Sequence, residues 1–146
     1  MIALIQRVSE ASVSIDSKQT ASITTGLVAL IGVEKSDTAE TALLLADKIL
    51  TYRVFPDEAG KMNLDVKMSG GQILLVPQFT LVADTRKGRR PGFSSGASPD
   101  QGRDLFDKLV NDVSATGIEF GTGTFGADMQ VALINDGPVT FWLQVG

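Results

Sequence analysis

The chain has 146 residues, 43% of them hydrophobic and 21% charged, enough for one domain with its own core and too apolar for a disordered chain. It contains no Cys and no His, which excludes disulfides, zinc sites built on those residues, and any Ser-His or Cys-His nucleophile. The net charge of −4 argues against a general nucleic-acid binder, yet "DTRKGRRP" carries +3 and leaves −7 for the rest.

"IALIQRVSEASVSI" alternates well enough for one or two strands, with Val13 and Ile15 on one face. Residues 27–33, "LVALIGV", are a short apolar run between Gly26 and Glu34 and fit a buried strand. Asp37 precedes Glu40 with the spacing of a capping box. Ala42, Leu45, Ala46 and Ile49 then repeat with helical period, so a helix is expected over roughly 38–52.

"VFPDEAGKMNLDVKMSGG" is dense in turn residues and fits a short β-excursion. "QILLVPQFTLVAD" reads as β-structure with a break at Pro77. A regular strand through this stretch puts Gln78 and Thr80 on one face. From Asp84 to Ser98 the chain is rich in Gly, Pro, Ser and Arg, which predicts a long loop. Ser98-Pro99 has the form of an N-cap followed by proline at the first helical position. Phe106, Leu109, Val110 and Val113 form the apolar stripe of a second helix that closes near Gly117. "IEFGTGTF", "DMQVALIN" and "VTFWLQV" complete the chain as strands, with Asp136-Gly137 as a hairpin turn between the last two. Two helices among many strands, not strictly alternating, predict an α+β fold with the helices packed on an antiparallel or mixed sheet.

No apolar run reaches the ~18 residues that cross a membrane. "MIALIQRVSE" lacks the basic start and long apolar stretch of a secretory signal, and the lack of Cys fits the cytoplasm. No cluster of residues argues for a metal or an organic cofactor.

Four stretches are candidates for chemistry. "GTGTFG" has neither the Lys-Ser/Thr ending nor the following helix of a phosphate loop, so a turn or bulge is the better reading. The basic loop, with Arg86, Lys87, Arg89 and Arg90, is either a solvated turn or a phosphate-contacting surface, and composition leaves both open. In "PQFTL", Thr80 has no His to activate it. The more useful asset is the backbone beside Pro77, where broken pairing frees N–H groups for a developing oxyanion. In "NDGPVT", Pro138 offers no ladder N–H and sits awkwardly at the start of a paired strand.

"PQFTL" (77–81) and "NDGPVT" (135–140), in that order, resemble the paired signatures of D-aminoacyl-tRNA deacylases. "MIALIQRV", "GKMNL", "RPGFSSGASPD" and "ADMQVALIN" are similar to that family as well, so the resemblance spans essentially the whole chain, 1–146. It implies a homodimeric, β-barrel-like fold with the helices outside and active sites at the subunit interface. It implies hydrolysis of the ester between a D-amino acid, or a misplaced glycine, and the terminal adenosine of tRNA. Gly137-Pro138 would be a cis dipeptide inserted into the partner's pocket, its carbonyls holding the substrate's α-ammonium. Arg7 would fix that motif, Gln78, Phe79 and Thr80 would form the opposite catalytic wall, and Phe125 and Met129 would lie near the adenosine. The family has Ser where this chain has Pro77, so neither a hydroxyl nor an N–H is offered there. The Phe79 N–H, the oxyanion donor that the resemblance suggests, is untouched.

Such a site would hold only groups common to every substrate. Rigid carbonyls suit this, and steric clash would reject the L-hand. Glycine, with nothing to clash, would pass. Two other classes stay open: a non-catalytic RNA-binding module using the basic loop, and a deacylase of small molecules.

Overall fold

A computed structural model describes all residues, Met1–Gly146. Its spine is one long hairpin. Strand β1 (Ile2–Ile15) turns at Asp16-Ser17, both with positive φ (49° and 62°), and returns as β2 (Lys18–Ile23) and β3 (Gly26–Gly32). Paired left-handed residues give the turn a twist that matches the strands. β2 and β3 lie on one line along β1, from Val13 opposite Ala21 to Ile2 opposite Gly32. Then come α1 (Ala39–Thr51), the small pair β4 (Phe55–Pro56) and β5 (Met62–Leu64), and β6 (Gln72–Pro77) parallel to β3. A short 3₁₀ turn, Phe79–Val82, and a long loop lead to α2 (Pro99–Ser114) and to β7 (Phe120–Thr122), parallel to β6. β8 (Gln130–Gln144) closes the order on the free side of β1.

The sheet is mixed and barrel-like, with both helices packed outside it, in agreement with the α+β expectation. Alternation along β3 and β6 explains its two cores. Leu27, Ala29, Ile31, Ile73 and Leu75 face the helices and join a cluster of 23 buried residues. Val28, Leu74 and Val76 point the other way, into a second cluster with Val8, Val13 and Ile23. Strands buried on both faces need continuous apolar sequence, which "LVALI" and "ILLV" supply.

Three local expectations are corrected. The α1 cap is Thr38 with Thr41, not Asp37 with Glu40. Asp37 is drawn inward: its carboxylate accepts 2.6 Å from the Met1 ammonium and 2.7 Å from the Glu34 N–H. β6 stops at Pro77, so Gln78 and Thr80 do not alternate on a strand. The third concerns Asp136-Gly137, which is no hairpin turn. β8 runs straight through it as one strand with a wide bulge, and the Gly137–Pro138 peptide is cis.

The pairing register defines that bulge. Gln6 is opposite Thr140 and Val8 is opposite Asn135, so four residues, Asp136 to Val139, face Arg7 alone. A bulge removes residues from the ladder and aims them elsewhere. It also removes the conflict with Pro138, which has no ladder bond to make. No helix is long and apolar enough to cross a membrane.

Candidate active site

Pro77 is tolerated for a reason visible in the ladder. The Ile73 N–H points to the β7 side, where it meets the Glu119 carbonyl, and residues of the same parity point that way too. The nitrogen of Pro77 shares this parity and falls where β7 runs out: strand pairing ends at Leu75 opposite Thr122, and the last bond across is from the Gly123 N–H to the Leu75 carbonyl, 2.8 Å. A proline at the end of a ladder forgoes one bond at most and breaks none before it. The next residue, Gln78, donates 2.7 Å to the Ile31 carbonyl and so holds the end of the strand on β3.

The chain then coils into the 3₁₀ turn. The Leu81 N–H returns to the Gln78 carbonyl, and the Ala83 N–H to that of Thr80. The N–H groups of Phe79 and Thr80 come too early to have a partner within the turn, as at any helix start. No carbonyl elsewhere takes them. The Gln78 side-chain amide donates to the Thr80 hydroxyl. A neutral amide is no base in either orientation, so nothing here activates Thr80. The exposed Phe79 ring packs against Phe93, with centroids 5.4 Å apart.

Beside this turn lies a cavity of about 290 Å³. Pro77, Gln78, Phe79 and Phe125 line it together, whereas Thr80 and Met129 do not. Its other wall is the start of α2, with Ser98, Gly102 and Phe106, none of which stands out in the sequence as part of a site. Ser98 caps α2, and the Gln101 side chain ties that end to the carbonyls of Lys35 and Asp37. Gly102 is legible in the sequence only as a break in helix propensity. A Cβ there would lie 3.1 Å from the Phe125 ring, so the missing side chain lets that ring rest on the helix. Met129 stands behind the Pro77 side, because a Cβ on Gly123 would meet both the Met129 sulfur (2.8 Å) and Pro77 Cδ (3.1 Å). The Thr124 N–H also approaches that sulfur at 3.3 Å.

Arg7 and Gly137-Pro138 form a second, separate cluster. Arg7 Nη1 donates 2.6 Å to the Val54 carbonyl, and its Nε donates 3.1 Å to the Asp136 carbonyl. The Asp136 carboxylate adds an ion pair at 3.4 Å. Asp136, Gly137 and Pro138 are exposed. Arg7 is opposite Leu27 on β3, whereas Pro77 is opposite Ile31. Four residues of strand separate these positions by about 13 Å, with further strands between. The two clusters therefore do not form one pocket within a chain.

The basic loop is exposed, but its cations are not equivalent. Arg86 is bound to Asp84 by two guanidinium bonds of 2.9 Å. That contact, led by the side-chain hydrogen bond, lowers the Asp84 carboxyl to about 2 and raises Arg86. Lys87, Arg89 and Arg90 have no such partner.

The family model for D-Tyr-tRNA(Tyr) deacylase matches residues 4–144. A D-aminoacyl-tRNA deacylase of Sodalis glossinidius (strain morsitans) is 57% identical over 145 residues, 99% of this chain and 100% of its own. One from Escherichia coli O1:K1 / APEC is 54% identical over the same shares. The solved c-Myc DNA Unwinding Element Binding Protein is 35% identical, with a TM-score of 0.94 over 100% of this chain and 99% of its own. A probable eukaryotic D-amino acid tRNA deacylase shares the fold at 17% identity, with a TM-score of 0.87 over 99% of this chain and 98% of its own. The chain belongs to the D-Tyr-tRNA(Tyr) deacylase family.

Proposed function

We propose that the protein hydrolyses the ester of D-aminoacyl-tRNA, and of glycine carried by the wrong tRNA, as a cytoplasmic homodimer whose sites are shared between subunits. The observation that carries this reading is the separation of the two signature clusters. One holds a cavity and free N–H groups. The other presents an exposed backbone bulge that lies outside that cavity. Each supplies what the other lacks, and a second copy of the chain brings them together.

In that arrangement the terminal adenosine occupies the cavity between Phe79 and Phe125, and the basic loop meets the acceptor strand. The Gly137 and Pro138 carbonyls of one subunit receive the α-ammonium at the other's pocket. Backbone atoms read only groups that every aminoacyl ester carries, so the side chain is selected by hand and not by kind. The Phe79 N–H supports the developing oxyanion, a contribution worth several kcal/mol, of order 3, in acyl transfer. The 2′-hydroxyl of the substrate's own adenosine orients or activates the attacking water, since the chain has no His or Cys and the cavity lining carries no ionisable side chain.

Subunit complementation tests the shared site. Gly137→Val and Gln78→Ala each inactivate the homodimer. A mixed dimer has one site built wholly from intact halves and regains turnover. A mixture that stays inactive after verified exchange of subunits contradicts the reading.

A further inference from the structure

We propose that the groove on the far side of Phe125 is a second nucleotide subsite, which takes the cytidine preceding the terminal adenosine and reads it through Asp107 and Arg103. This rests on the reading of the first cavity as the adenosine pocket. The groove measures about 310 Å³ and is lined by Arg103, Asp107, Val110, Thr122 and Thr124. Phe106 and Phe125 line both spaces, so the Phe125 ring is a partition between them. The Arg103 guanidinium lies 5.4 Å from the centre of that ring. A strand whose last base sits on one side of the partition brings its preceding unit over the edge to the other.

The polar groups there suit a cytidine and its phosphate. Arg103 is half-exposed, and its nearest acid is the weakly placed Asp100 at 4.0 Å. Its charge is thus free for the phosphodiester that crosses the partition. Asp107 is exposed and makes no ion pair or hydrogen bond. A carboxylate accepts from the exocyclic amine of cytosine and is repelled by the carbonyl that uracil has in its place. The Phe125 edge and Val110 offer apolar surface to the base, and the hydroxyls of Thr122 and Thr124 offer further hydrogen bonds. This subsite would distinguish a tRNA end from a charged adenosine of any other origin. It lies across Phe125 from Phe79, whose ring packs toward the loop that carries Arg86 to Arg90.

The test compares wild type, Arg103→Gln and Asp107→Asn on three substrates: D-aminoacyl-adenosine, D-aminoacyl-tRNA, and the same tRNA with uridine before the terminal adenosine. Both residues are exposed on α2, so the variants keep the fold. On D-aminoacyl-adenosine all three proteins are expected to match. On tRNA, Arg103→Gln is expected to raise KM about tenfold with kcat unchanged, and to flatten the salt dependence by roughly the 0.7 log units of one phosphate. Wild type is expected to favour cytidine over uridine by about tenfold, the lower end for one good base contact, and Asp107→Asn to narrow that preference. If the variants match wild type on every substrate, the subsite is overturned while the adenosine pocket stands. If wild type turns over none of the three, both are overturned.

Discussion

The guanidinium of Arg7 holds the Asp136 backbone carbonyl at 3.1 Å, across a point where four residues of β8 face one residue of β1. The same side chain reaches the Val54 carbonyl at 2.6 Å, so one planar fork anchors the bulge to the chain that follows α1. On the proposed reading, in which the carbonyls beyond it receive the substrate's ammonium, such a fixed base keeps them in place.

Gly137→Ala tests that base. At φ +131° an added Cβ is strained, and it would lie 2.8 Å from Val139 Cγ2 and 3.2 Å from Arg7 Nη2. The bulge and the Arg7 fork must then shift. Turnover of D-aminoacyl-tRNA is expected to fall about 100-fold, the cost of misplacing a reacting group by roughly 1 Å. Backbone strain costs stability only about 1–3 kcal/mol. Steady-state kinetics beside a urea melt checks both numbers. Arg7→Lys is expected to follow the same pattern, because an ammonium cannot span two carbonyls as the fork does.

The basic loop is expected to act through Lys87, Arg89 and Arg90 more than through Arg86. Neutralising Arg89 and Arg90 together should reduce the log–log salt slope of tRNA binding by roughly 0.7 for each phosphate they neutralise. Arg86→Gln should change it less. The Asp84 pair also sets a pH window. Its folded value of about 2 lies below the ordinary 3.8, so the pair is complete above pH 3.8 and is lost as pH falls through about 2. A carbon-detected titration of the Asp84 carboxyl should show this midpoint, and Arg86→Ala should return it toward 3.8. The loop should therefore contribute nothing to the pH profile of activity near neutrality.

Thr80→Ala is expected to keep substantial turnover, losing at most about tenfold, the worth of one hydrogen bond. A tRNA ending in 2′-deoxyadenosine and charged on its 3′-hydroxyl is expected to bind but react about 10²–10⁴-fold more slowly, the usual range for a lost acid–base group. Single-turnover rates on both separate the two cases. An inactive Thr80→Ala with a normally reacting deoxy substrate would mean that the protein supplies the nucleophile.

Asp37→Asn is expected to affect stability and not chemistry. The Met1 ammonium is wholly buried, and its shortest contact is the Asp37 carboxylate at 2.6 Å, with the Val145 carbonyl at 2.7 Å. Removing one charge of a buried pair leaves the other uncompensated, at a cost of about 3 kcal/mol. For a chain of this size that lowers Tm by roughly 10 °C. Calorimetry and the kcat of the remaining folded enzyme check it.

What the sequence reveals follows from range. Short-range patterns translate directly: the apolar stripe of α2, the Ser98-Pro99 start, and the doubly buried β3 and β6 are each written in consecutive residues. Errors arise where a distant partner outcompetes a local one. Asp37 resembles a cap, but the buried ammonium of Met1, 36 residues away in sequence, takes its carboxylate. Asp136-Gly137 resembles a turn, but β1 continues past it and holds β8 straight on both sides. Half of the first cavity is hidden for the same reason. Ser98, Gly102 and Phe106 look like ordinary helix residues until the helix is laid against Phe125.

The most direct measurement is deacylation of the D- and L-forms of one amino acid on the same tRNA by pure protein. Rapid release of the D-form is expected, with the L-form hydrolysed no faster than in buffer alone. Equal hydrolysis of both hands, or of neither, would contradict a deacylase that selects by hand.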